Sequence, residues 1–245
     1  MMKRGDKYSF SEAPGPKTRP TSAGASPFDE MAAEYDAWFD EGGSLIFSIE
    51  LQALKALLPS LPEPWLEIGV GSGRFAQALG IDTGLDPSSK LLQIAKSRGI
   101  NAVLGRGEER VFDAETFGTV FIITTLCFVD SPQDVIKEAK RILVPGGKLV
   151  LGLILKDSPW GNLYQHKKEE GHRVYKYANF YSCNEMTRLM FETGFTGERM
   201  ISTLFQKPGN VRHVEQPKPG YWPEAGFTII VGRKMDTAGK HESHA

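Results

Sequence analysis

A chain of 245 residues suits one large domain, or one domain with extensions. Its hydrophobic fraction of 40% and charged fraction of 24% are ordinary globular values and exclude a collagenous, coiled-coil or wholly disordered chain. Lys and Arg number 29 against 30 Asp and Glu, so the net charge is −1, without the basic excess that draws a domain onto a phosphate backbone.

Residues 1–27 carry Pro14, Pro16, Pro20 and Pro27 among Gly, Ser and Lys, and are expected to form a tail outside the fold. Apolar residues at helical spacing from Leu45 to Leu58 predict a helix ending at Pro59, and Pro62 and Pro64 then hold the chain extended before a strand in WLEIGV. A Gly-rich turn, a helix over RFAQALG, a strand ending at Leu85 and a helix from Pro87 to Arg98 follow. The brief strand NAVLG leads to TVFIITTL, an apolar run of the kind buried on both faces. Ser131 and Pro132 match an N-cap and first-turn proline for the helix QDVIKEAKRIL, which stops at PGG before the strand KLVLGLIL. Single helices between strands imply βαβ units and right-handed crossovers.

The last third departs from that rhythm. A polar and aromatic segment spans Asp157 to Tyr181, a helix opens at the capping-box spacing Ser182 to Glu185 and closes near Gly194, and two strands lie in ERMISTLF and GFTIIVGRK. The connection between those strands, with Pro208, Pro217, Pro219 and Pro223, is long for a structural loop and is therefore a candidate functional one. A polar tail is expected over 234–245, and His241 and His244 belong to it.

The chemistry-bearing feature is Glu67-Ile-Gly69-Val-Gly71-Ser-Gly73-Arg74 at the exit of the first strand. Three alternate glycines allow backbone conformations closed to other residues, and they aim amide groups at a site where a carboxylate or phosphate is favoured. A plain tight turn is the alternative. A dinucleotide fingerprint would need Gly or Ala at position 74, where Arg74 stands, so a nicotinamide-binding reductase is the weaker reading.

The string resembles motif I of the class I S-adenosylmethionine-dependent methyltransferases, an acid followed by G-x-G-x-G. The resemblance is to the small-molecule, UbiE-like branch (methyltransferase type 11). Seventeen residues after Gly69 stands Asp86-Pro87-Ser-Ser, similar to that family's ribose-binding acid. Gly105-Arg-Gly107-Glu108 resembles the loop beside the adenine, with Arg106 a departure from the usual Asp and Glu108 a substitute for it. Thr124 and Thr125 fall where the family meets the methionine portion, and Leu143-Val-Pro145-Gly146-Gly147 is similar to its structural turn. Phe28-Asp-Glu-Met-Ala-Ala-Glu-Tyr35-Asp36-Ala-Trp38 looks like an N-terminal helix that closes over the cofactor, with Tyr35 at the methionine end.

The resemblance implies an α/β, Rossmann-like, doubly wound, seven-stranded and mostly parallel sheet with an antiparallel C-terminal strand and a helical lid. A single domain over 28–233 would carry lid elements at 28–42, 156–181 and 206–224. The cofactor would be S-adenosylmethionine, leaving as S-adenosylhomocysteine, and its site would comprise Tyr35, Glu67, Gly69, Gly71, Gly73, Asp86, Pro87, Gly107, Glu108, Thr124 and Thr125. No catalytic base is singled out: His166, His172 and His213 lie in the roofing segments but fit surface positions as well. Aromatics from Trp160 to Tyr181, with Phe205, Tyr221 and Trp222, would either cage an acceptor or form the core of a lid.

The modest lid and near-zero charge favour a small-molecule acceptor over nucleic acid; a protein methyltransferase and a non-catalytic cofactor-binding protein are the other readings. Cys127 and Cys183 lack metal or disulfide spacing, and no apolar run approaches the roughly 18 to 20 residues of a membrane span. A cytoplasmic monomer or homodimer without metal is expected.

Overall fold

The computed structural model describes Ser26 and residues 28–235, so most of both expected tails, with His241 and His244, lies outside the described residues. Among the described residues eight strands form one sheet: β1 (Trp65–Ile68), β2 (Thr83–Asp86), β3 (Asn101–Leu104), β4 (Phe117–Ile123), β5 (Leu143–Leu153), β6 (Phe195–Thr203), β7 (Lys218–Pro219) and β8 (Phe227–Lys234). Their order is β3-β2-β1-β4-β5-β8-β6-β7. The first five are parallel, and β8 runs antiparallel between β5 and β6. The strand beyond the seven expected is β7, a two-residue edge piece inside the late loop that pairs Ser202 with Lys218 and Ile201 with Pro219.

Among the described residues seven α-helices accompany the sheet: α1 (Ala32–Trp38), α2 (Ser44–Lys55), α3 (Arg74–Leu79), α4 (Ser89–Ser97), α5 (Pro132–Ile142), α6 (Pro159–Glu169) and α7 (Cys183–Glu192). Every residue of β4 is buried, as its unbroken apolar run requires. Phe121 and Ile123 face a core shared with α2, α3 and α4, whereas Val120 and Ile122 face α5 and α7. Strand order reverses between β1 and β4, the place where open α/β sheets bind ligands beyond their carboxyl ends.

Local signals account for the helix starts. Ser131 accepts a hydrogen bond from Asp134 N ahead of Pro132, and Ser88 caps α4 through Leu91 N. Ser182 and Glu185 exchange both bonds of a capping box. The turn Pro145-Gly146-Gly147 is absorbed into β5 as an irregularity, with pairing that jumps from Phe117–Leu143 to Thr119–Lys148. Helix α6 occupies part of the segment read only as polar and aromatic. Its start repeats the α5 pattern, Ser158 accepting from Gly161 N with Pro159 in the first turn.

Candidate active site

The loop after β1 bends on three residues in the left-handed region, Gly69, Gly71 and Gly73. At Gly69 (φ 77°) a Cβ would lie 2.2 Å from the Thr125 side chain, so only glycine lets the end of β4 close against this loop. At Gly71 (φ 54°) a Cβ would meet only Tyr35, Cε1 at 3.6 Å and the hydroxyl at 3.8 Å. Gly71 is therefore the point where the loop backbone faces the N-terminal helix.

Two acids stand beside this loop. The Asp86 carboxylate, at the end of β2, accepts from Gly71 N at 2.9 Å and from Ser88 N at 2.8 Å. Burial pushes its carboxyl up to about 6, against the downward pull of those two N–H groups. Glu67 on β1 is buried, and its Oε2 has no hydrogen-bond partner among the described residues. Burial first, and then the Asp86 charge, hold Glu67 well above the usual carboxylate range.

The loops after β3 and β4 meet nearby. A Cβ on Gly107 would press within 2.8 Å of Ile68 on β1. Glu108 accepts from Asp130 N at 3.2 Å, and Arg106 pairs with Asp130 and with Glu108, so the unusual arginine ties two loops together. Thr124 holds a positive φ of 49°, rare for a β-branched residue, and Thr125 donates to Ile123 O at 2.9 Å. A narrow cleft lined by Thr124, Cys127, Leu155 and Phe180 opens there. Pro87 is exposed at the edge of the site.

Helix α1 is fastened over the loop by charge. Arg74 Nε donates to Asp36 Oδ1 at 2.8 Å, Arg98 reaches Asp36 Oδ2 at 2.8 Å and Ser72 O at 2.6 Å, and Arg74 also binds Asp40. Partial burial opposes ionisation of Asp36, yet the two guanidiniums outweigh it and hold the carboxyl well below its usual range. Asp29 accepts from Ser88 Oγ at 2.6 Å and from Lys90 N, docking the preceding turn onto α4. Burial, followed by the charges of Asp86, Glu67 and Glu50, pushes the Tyr35 phenol well above its ordinary value.

Comparison with known proteins bears on this arrangement. A family model described as a methyltransferase domain matches residues 66–151. An uncharacterised protein of Methanocaldococcus jannaschii is 41% identical over 208 residues, spanning 85% of this chain and 98% of its own. A ubiquinone biosynthesis O-methyltransferase of Coxiella burnetii is 28% identical over 142 residues, 52% of this chain and 59% of its own. A solved structure from Thermotoga maritima, described as a SAM-dependent methyltransferase, possible histamine N-methyltransferase, has 39% identity and a TM-score of 0.79, covering 85% of this chain and 98% of that one. The chain belongs to the S-adenosylmethionine-dependent methyltransferases.

Its fold is the Rossmann-like sheet of that class. The cofactor of such a methyltransferase has a ribose diol and an amino group, and the acceptors here can meet both. A carboxylate offers about four lone-pair sites, of which Asp86 uses two internally. Glu67 Oε2 is a buried acceptor in need of a donor. The structure thus draws Tyr35, Glu67, the three glycines, Asp86 and Thr125 around one loop, whereas Glu108 is engaged with Asp130 and Pro87 lies at the rim.

Of the three histidines, His166 is exposed beside Glu169 and Glu170, and His213 is exposed. His172 is half-buried, with its ring centroid 4.9 Å from that of Tyr175. Asp29 and Asp36 stand in the N-terminal element read from the sequence, which gave them no role; Arg98, which helps fasten α1, and Glu50 on α2 carry no signal there. No group of His, Cys, Asp and Glu suited to a metal occurs among the described residues, and no helix there is long and apolar enough to cross a membrane.

Proposed function

We propose that this methyltransferase alkylates a small-molecule acceptor in the cytoplasm, as a monomer or homodimer. Its cofactor would be held by Tyr35, Glu67, Gly69, Gly71, Gly73, Asp86, Pro87, Gly107, Glu108, Thr124 and Thr125. The observation that carries the site assignment is the Asp86 carboxylate, fixed by Gly71 N–H and Ser88 N–H with lone pairs to spare for a vicinal diol. Gly71 leaves the loop backbone bare beneath Tyr35, and Glu67 offers an acceptor to an ammonium group.

When bound, S-adenosylmethionine supplies a methyl group already activated on a sulfonium. The residues here then contribute placement and exclusion of water: α1 covers the loop, and Thr124 and Cys127 border the cleft from which an acceptor would approach. Such alignment can be worth roughly 7–11 kcal/mol of barrier. The small-molecule reading is supported by short lid segments, by the balanced charge and by the substrates in the names of the Thermotoga and Coxiella relatives.

Incubation of the protein with methyl-labelled cofactor and a fractionated metabolite extract should place label on a dialysable compound. Label on polypeptide, or none on any fraction, would overturn the acceptor class. Asp86→Ala should weaken S-adenosylhomocysteine binding in calorimetry by at least the tenfold that about 1.4 kcal/mol represents, and unchanged affinity would remove Asp86 from the site.

A further inference from the structure

Glu50 is a charged residue on the wrong face of its helix. It lies on α2 beside Ile49 and one turn before Ala53 and Leu54, all three fully buried, and is itself only 5% exposed. Among the described residues its carboxylate has neither a hydrogen-bond donor nor a Lys or Arg partner. An isolated buried carboxylate is expensive, and its cost is offset when a cation meets it.

The surroundings suit an organic cation. The Glu50 charge acts on the hydroxyls of Tyr35 and Tyr164. Tyr164 stacks on Tyr175 with ring centroids 4.3 Å apart, and Phe180 lies 6.3 Å from Tyr164. Electron-rich ring faces beside a carboxylate are the two elements that bind an ammonium group. Tyr35 fixes where this cluster lies relative to the glycine loop: its hydroxyl faces Gly71 and feels Asp86 and Glu67 as well as Glu50. Tyr164 shares one core with Ile49, Ala53 and Leu54 of α2, and Tyr35, Tyr175 and Phe180 pack against that core, so the helix that carries Glu50 and the stacked tyrosines meet under the ring that faces Gly71.

We infer that Glu50, with the rings of Tyr164 and Tyr175, binds the cationic amino group of the methyl acceptor, which makes the acceptor a small organic amine. The inference rests on the methyltransferase reading and deepens it. Burial keeps the ligand-free Glu50 carboxyl protonated at neutral pH, and neither the alcohols nor the carboxylic acids that serve other methyltransferases would compensate the charge left when that proton departs. An amine does so directly, and the stacked tyrosines shield the pair from water.

The test uses the full chain loaded with S-adenosylhomocysteine and probes of similar size: histamine, tyramine and phenethylamine as amines, tyrosol as the neutral counterpart and phenylacetate as the anionic one. At least one amine should bind ten or more times tighter than tyrosol in calorimetry. Glu50→Gln should lose at least tenfold of that amine affinity while keeping the affinity for S-adenosylhomocysteine and a Tm no lower than that of the parent, which excludes misfolding as the cause. Equal amine binding by Glu50→Gln, preference for tyrosol or phenylacetate, or no amine binding at all overturns the assignment. Failure of the unmodified chain to bind S-adenosylhomocysteine would instead overturn the cofactor site on which the inference stands.

Discussion

Replacing Glu50 by Gln should stabilise the fold, and by an amount that depends on pH in a calculable way. Burial alone raises the Glu50 carboxyl from 4.5 to about 8. The folded chain therefore holds a proton that the unfolded chain releases above its ordinary value, and folding loses about 1.4 kcal/mol for each pH unit between those two points. Across the span the loss accumulates to about 5 kcal/mol and then levels off. The carboxamide is nearly the same size and does not titrate. Ligand-free parent and Glu50→Gln should thus unfold alike near pH 4 and diverge steadily to pH 9, with the variant the more stable. For a chain of this length roughly 2–4 °C of Tm accompanies each kcal/mol, so a gap of about 10 °C or more is expected at the alkaline end. Thermal and urea unfolding across that pH series provide the measurement. A gap that does not vary with pH, or a variant less stable at pH 9, would show that the carboxylate has a partner and would refute the reasoning.

Three further outcomes follow from the fastening of α1 and from the loop beneath it. Arg74→Ala removes the guanidinium from Asp36 and Asp40 but leaves Arg98, so unfolding should become easier by about 1–3 kcal/mol and S-adenosylhomocysteine affinity should fall in calorimetry. Asp36 lies below the usual carboxylate range, so its contribution is present above its unfolded value and is lost as pH falls through its lower folded one. Asp36→Asn should accordingly be destabilised at pH 7 and converge with the parent in strong acid, as followed by circular dichroism. Gly69→Ala meets both a positive φ and Thr125 at 2.2 Å, whereas Gly71→Ala meets only the backbone cost of about 1–2 kcal/mol; denaturant midpoints should rank the first variant as clearly the weaker.

The parallel half of the sheet was legible because its signals are local. β4 is apolar along its whole length, α5 opens on Ser131-Pro132, and the glycines after β1 stand at fixed spacing. Helix α6 carries the same Ser-Pro opening, but its polar and aromatic composition hid the period that a one-sided core usually imprints. β7 is too short to leave a pattern, since two residues pair with β6 only because the loop brings them there. Arg74 was informative as an exclusion, being incompatible with a dinucleotide fingerprint, but its partner Asp36 lies 38 residues away and no local spacing joins them. Glu50 is written plainly in the apolar stripe of α2, yet a linear pattern cannot say whether such an acid turns to solvent or stays inside, and here it stays inside.

The salt bridges of α1 also impose an order of events during synthesis. This seven-residue helix is too short to persist alone in water. Its first partner follows Asp36 by 38 residues and its second by 62. At ribosomal speeds of about 5–20 residues per second, roughly 3–12 s pass before Arg98 exists at all. The segment that covers the glycine loop is thus made before its partners and cannot settle until α4 is complete. A bulky group joined just ahead of Phe28 would be tethered beside that late docking step and should slow it.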